Sequence, residues 1–140
     1  MQKEALTFGK ILKMTLNADD GMKLAYGVKD RVKYVVVVGI STDYALVGSL
    51  LVNSKINTIF KNTEGLQNSQ VPLKKDDYSF LKHDSYLDCS SILRPNIVKV
   101  LANAQEISEL TAEDKSIVKQ LLSDSEHIAL WEKKKYDIIK

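Results

Sequence analysis

Residues 35–38 read Val-Val-Val-Val, inside the stretch "KYVVVVGI" (33–40), and no other feature of the chain limits its fold as strongly. Four β-branched side chains in succession are stiff at χ1 and pack well on a pleated surface, so the run favours a strand over a helix. A strand that alternates polar and apolar can have one wet face; an unbroken apolar run needs cover on both. The run therefore predicts a central strand with packing above and below it. A polar break at Ser41-Thr42-Asp43 separates it from a second apolar run, Tyr44 to Val52. Two apolar runs joined by a short polar connection predict a hairpin over 33–40 and 44–53.

A length of 140 residues, 44% apolar and 27% charged, is enough for one domain, 1–140, to bury that hairpin without metals or disulfides. The formal net charge of +2 gives no global basic field, so any nucleic-acid contact has to come from local clusters. One cysteine, Cys89, excludes an intrachain disulfide and a cysteine-built zinc site. "MQKEALTFGK" has no apolar leader, and nothing approaches the roughly 18 apolar residues of a spanning helix. The expectation is a cytoplasmic protein with no membrane association.

Around the hairpin, "FGKILKMTL" (8–16) predicts a first strand, and "NADDG" (17–21) a tight turn in which Gly21 supplies a positive φ. The pattern dissolves from Lys55 to Lys82 into Asn, Gln, Ser, Lys and Asp, broken by Gly65 and Pro72, which predicts a long irregular insertion. "YSFLKHDSYLDCSSIL" (78–93) resumes a strand pattern with Tyr86, Leu87, Cys89 and Ile92 buried, and Pro95 ends it. Residues 97–107 fit strand or short helix. Thr111, with Glu113 and Asp114 behind it, has the form of a helix N-cap with acids in the first turn. Ile117, Val118, Leu121, Leu122, Ser125, Ile128 and Ala129 then recur at helical spacing, which predicts an amphipathic helix over about 112–129. The class is mainly β, α+β or small barrel, with one packed C-terminal helix.

Candidate chemistry gathers at the polar ends of the hairpin. Arg31 and Lys33 lead into its first strand, and Asn53 and Ser54 close its second. Cations and neutral donors of this kind can hold a phosphate, whereas no base accompanies them in sequence. The plainer reading of all four is a solvated strand start and a polar strand end. His83 beside Asp84 has the composition of an acid–base pair, and Asp76 with Asp77 that of a magnesium ligand pair; neither has a specific spacing. Tyr78 and Phe80 alternate as core residues do, although aromatics among lysines also suit stacking on single-stranded RNA. Cys89 reads as a small buried hydrophobe, His127 as a helix-end residue, and Trp131 as a packing residue on the body or on a partner. "EKKKYDIIK" (132–140) is a basic tail, either a frayed or docked terminus or a contact for a phosphate or partner.

The order of these elements resembles the MazF/PemK (Kid-type) toxins. "FGKILKMTL" is similar to that family's first strand, "KYVVVVGI" to its second, "GSLLVNS" to its third and "LDCSSIL" to the strand before its helix. "ISELTAEDKSIVKQLL" (107–122) is similar to the family's approach to a terminal amphipathic helix, with Ser108 where glycine is usual. The resemblance implies an SH3-like barrel, a two-fold homodimer with its groove across two subunits, and an antitoxin protein as partner. It also implies a toxin-antitoxin-type endoribonuclease that cleaves single-stranded RNA without metal or cofactor. The family's Arg-Pro at the second strand falls on Lys33-Tyr34 here, with Arg31 two residues earlier, and its Thr or Ser on the third strand falls on Asn53, with Ser54 beside it. Arg31, Lys33, Asn53 and Ser54 are thus the implied catalytic positions. Lysine lacks arginine's planar fork, and asparagine is neither nucleophile nor base, so RNA binding is expected to outlast turnover. The alternatives are a non-catalytic barrel that binds a protein or nucleic acid, and an unrelated β-rich accessory protein.

Overall fold

A computed structural model describes residues 1–54 and 64–139. Its elements run β1 (Lys10–Asn17), β2 (Asp30–Ile40), β3 (Val47–Asn53), α1 (Glu64–Gln67), β4 (Gln70–Leu73), β5 (Ser85–Leu93), α2 (Ile97–Asn103), β6 (Gln105–Glu109), α3 (Ala112–Asp124) and α4 (Leu130–Lys135). The six strands form one antiparallel sheet in the order β4-β5-β3-β2-β1-β6. The β2–β3 hairpin expected from the two apolar runs lies in the middle of that order. Val35, Val36 and Val37 are fully buried and Val38 nearly so, because each face of β2 is packed.

Two apolar clusters result, one on each face, as the period-2 alternation of side chains requires. On the first face Ile11, Val36, Val38, Leu50, Val52, Val71, Leu73, Leu87 and Cys89 pack beneath Val118 and Leu122 of α3, together with Tyr78, Leu81, Leu110, Ile128 and Tyr136. On the second face Leu12, Met14, Leu16, Val35 and Val37 pack against Val100 of α2 and against Leu6 and Met22. The turn after β1 is built as its sequence implies. Asn17 accepts from the Asp19 amide at 2.9 Å, the Asn17 amide donates to Asp20 Oδ2 at 2.9 Å, and Gly21 takes φ +94°. The buried Asp20 carboxylate is neutralised by Lys99 of α2, which ties that helix to the turn.

Several expectations are corrected. The sheet is not closed into the barrel that the resemblance implies: β4 and β6 are its two edges and do not pair. Both edges are blunted. Pro72 gives β4 one donor fewer, and β6 pairs with β1 through a register shift that passes over Ile107. The 55–82 insertion is not wholly irregular, since α1 and β4 lie within it; its residues 55–63 lie outside the described ones. The strand pattern from 78 begins only at Ser85, and Tyr86 is half-buried rather than buried. Residues 97–109 are helix and then strand, which is why neither period fitted the whole stretch.

The C-terminal helix has its Thr111 cap, with the hydroxyl accepting from the Asp114 amide at 3.1 Å. It ends at Asp124, not Ala129, because Ser125 turns extended in a Ser-Asp-Ser run that favours caps over helix interiors. Val118 and Leu122 are buried, whereas Ile117 is 45% exposed. Ile128 reaches the core from a separate segment.

Candidate polar site on the second face

Strand register places the candidate residues. Val35 pairs with Leu51, so two residues further toward the strand end Lys33 faces Asn53; Asn53 pairs with Tyr86, and Tyr86 with Pro72. Directly opposed residues share a face, so Lys33, Asn53, Tyr86 and Pro72 form one row across four strands. The next row inward is Val35, Leu51, Asp88 and Gln70. Arg31 lies two residues before Lys33 on the same face and is exposed.

Lys33 is half-buried, and its Nζ donates to Asn53 Oδ1 at 3.3 Å. It makes no ion pair among the described residues. Burial, and then the neighbouring Arg31 charge, hold its pKa below the usual lysine value. A cation held in this way has its attraction for an anion largely unspent. Sequence reasoning thus identified a pair that the fold brings together, Lys33 with Asn53, and a second cation beside it, Arg31. Ser54 is exposed just beyond β3 and makes no described contact with the pair.

Four residues that sequence reasoning missed share this face. Asp88 is buried, and its Oδ1 accepts from Gln70 Nε2 at 2.9 Å, the Ser90 amide at 2.9 Å and Ser90 Oγ at 2.5 Å. Gln70 Oε1 is buried with no hydrogen-bond partner, at a typical cost of about 1–3 kcal/mol. Tyr86 completes the set. The signal was present as alternation: Tyr86, Asp88 and Ser90 are the polar phase of a strand whose other phase is Leu87 and Cys89. A polar phase that is half-buried or buried belongs to a built face, not a solvated one.

The other candidates do not join the site. His83 is exposed, its ring contacting the Asp84 carbonyl oxygen at 3.2 Å, and Asp84 accepts instead from the Lys75 amide at 2.8 Å. Asp76 and Asp77 are exposed in a short turn, and no group of three or more potential metal ligands occurs among the described residues. Tyr78 is core, donating to Asp114 Oδ2 at 2.5 Å and packing with Phe80 and, through it, Tyr34. Cys89 is buried, and desolvation pushes its pKa to about 12, so it is inert as a nucleophile. His127 is exposed, and Trp131 is 65% exposed rather than packed on the body of the chain.

No described helix is long and apolar enough to cross a membrane. No protein-family model matches the chain, and no curated protein matches it.

Proposed function

We propose that the chain is a MazF/PemK-like protein of toxin-antitoxin type whose second face binds single-stranded RNA, with the phosphate received by Lys33 and Arg31 and oriented by Asn53. The observation that carries this reading is the half-buried, unpaired Lys33 against Asn53, with Arg31 beside it on one strand face. A bound phosphate would supply the counter-charge that the fold leaves out, through short charge-assisted hydrogen bonds. The finer fold reading, an opened relative of the SH3-like barrel, belongs to the same proposal, as do the homodimer, the antitoxin partner and a cytoplasmic setting.

Binding without efficient turnover is favoured over a competent endoribonuclease. Among the described residues no carboxylate or imidazole is hydrogen-bonded to Lys33 or Asn53, and cleavage by a 2′-hydroxyl needs a base within such reach. The decisive experiment expresses the chain in a bacterium beside Arg31→Ala/Lys33→Ala and Asn53→Ala/Ser54→Ala forms, and measures growth, RNA cleavage and RNA affinity. Salt-sensitive RNA binding that weakens in the Arg31/Lys33 double variant supports the reading. Growth arrest and cleavage lost in both variants would make it an enzyme; absence of RNA binding by the parent overturns it.

A further inference from the structure

At the far end of β2 from Lys33, and on the opposite face, the chain forms a half-open recess of about 300 Å³. Its walls are Phe8, Val38 and Ile40 from the β1–β2 side, Leu122 and Lys119 from α3, and the C-terminal strap Tyr136–Ile138. A second recess of about 350 Å³ adjoins it, sharing Lys119 and Ile138 and lined otherwise by Ser116, Gln120 and Ser123. Ser116, Lys119, Gln120 and Ser123 are spaced i, i+3, i+4 and i+7, so they form one polar stripe of α3 turned toward the strap.

The path of the strap is set by hydrogen bonds at the end of α4. Ile138 N donates to the Lys133 carbonyl at 2.8 Å and Asp137 N to that of Lys134 at 3.3 Å, with Asp137 at φ +58°. That is a Schellman ending of α4, and it turns Ile138 back toward α3 instead of letting the chain fill the space. Lys133 Nζ, bonded to the Ser123 carbonyl at 2.8 Å, fixes α4 to the end of α3.

We propose that this recess is a binding site for a small amphipathic carboxylate. The apolar body would lie among Phe8, Val38, Leu122, Tyr136 and Ile138, and the carboxylate would take Lys119 Nζ at the boundary of the two recesses. Three features select that chemistry. The walls combine hydrocarbon and aromatic side chains with about as much polar surface, which suits a small body that is itself amphipathic. Lys119 is exposed and makes no ion pair among the described residues. Asp137, the one acid on the walls, belongs to the strap and repels a carboxylate toward the α3 side.

The test compares two probes that differ only in the head group, hexanoate and hexan-1-ol, by amide chemical-shift titration of the intact chain. Both should move amides of 38–40, 119–123 and 136–138, with hexanoate binding about two- to fivefold tighter, as expected for an ion pair with an exposed lysine. Lys119→Ala should remove that preference and leave hexan-1-ol unchanged. Val38→Phe should abolish both by filling the recess; Ile138→Trp does the same at the rim without touching the sheet, should Val38→Phe misfold. The inference is overturned if neither probe shifts these amides, if hexanoate binds Lys119→Ala as it binds the parent, or if both probes still bind the filled variants.

Discussion

The two faces of the sheet are built to different rules. The first carries one continuous apolar cluster from the β4 edge to β1: Val71 and Leu73 on β4, Leu87 and Cys89 on β5, and on through β3 and β2 to Ile11 on β1. Val118 and Leu122 of α3 and Tyr136 of the C-terminal strap join it, and the recess beside the strap opens into it. The second is closed over β1, the inner part of β2 and the ends of β3 and β5 that carry Val47 and Leu93, where α2 and Met22 sit. It turns polar around Asn53 of β3, Tyr86 to Ser90 of β5, and Gln70 of β4. There a half-buried lysine, a buried aspartate and an unpartnered glutamine oxygen take positions that apolar residues hold on the reverse side. A protein built for stability alone would not leave these groups inside. The first face carries the stability, and the second gives some of it up.

That contrast breaks first at Leu122, which is 1% exposed beneath α3. Leu122→Ala should cost about 2–5 kcal/mol, the range for truncating a buried leucine. Denaturant unfolding measures it, and a loss below about 1 kcal/mol would mean that α3 does not seal the first face. Ile117→Ala on the same helix should be nearly silent, because Ile117 faces solvent.

Gly48 tests the same face from the strand side. A Cβ built there would lie 2.6 Å from Tyr136 Cδ1 and 2.9 Å from its Cε1 and Cγ, so the ring lies directly on the strand backbone. Gly48→Ala should cost about 1–3 kcal/mol through displacement of the ring, in the manner of other overpacked cores. The loss should shrink when Tyr136→Ala is already present, and a double-mutant cycle reads that coupling. Additive losses would show that the strap does not depend on the glycine.

How far the sequence carried follows the same division. Val35–Val38 located the centre of the sheet because β-branched residues without polar alternation have few other solutions, and Thr111 located the start of α3 because its cap is a local hydrogen bond. The length of α3 was misjudged because Ile128 keeps helical spacing although the backbone has already turned at Ser125. β4 was hidden by its shortness and by Pro72, and its partner β5 lies a dozen residues on, beyond any local signal. Lys33 and Asn53 were legible as strand ends, since hairpin register alone opposes them. Asp88 and Gln70 were not, because only the β4–β5 pairing brings them together.

A smaller effect of opposite sign is expected at Asp137. Its φ of +58° costs a non-glycine residue about 1–2 kcal/mol, while glycine would add about 0.4–1 kcal/mol of unfolded-chain entropy to be lost. Asp137→Gly should therefore raise stability by roughly 0.5–1 kcal/mol, seen as a higher denaturant midpoint at unchanged slope. A drop would show that the aspartate side chain itself holds the strap over the first face.

The mildest perturbation sharpens the comparison on the second face. Lys33 has its folded pKa below the unfolded value of 10.5, first through burial and then through Arg31. Between those two values the unfolded chain binds more protons, so stability rises with pH across that window. The penalty for a charged Lys33 is therefore complete below the folded pKa and gone above 10.5. Lys33→Gln should leave the protein at least as stable as the parent at neutral pH, with the difference narrowing as the pH climbs toward 10.5. The same substitution should weaken RNA binding and flatten its dependence on salt, since one phosphate contact is lost. Unfolding curves at neutral and alkaline pH, paired with RNA titrations at two salt concentrations, separate the two effects. A variant that loses stability at neutral pH would make Lys33 a structural cation and remove the reason for placing a phosphate beside it.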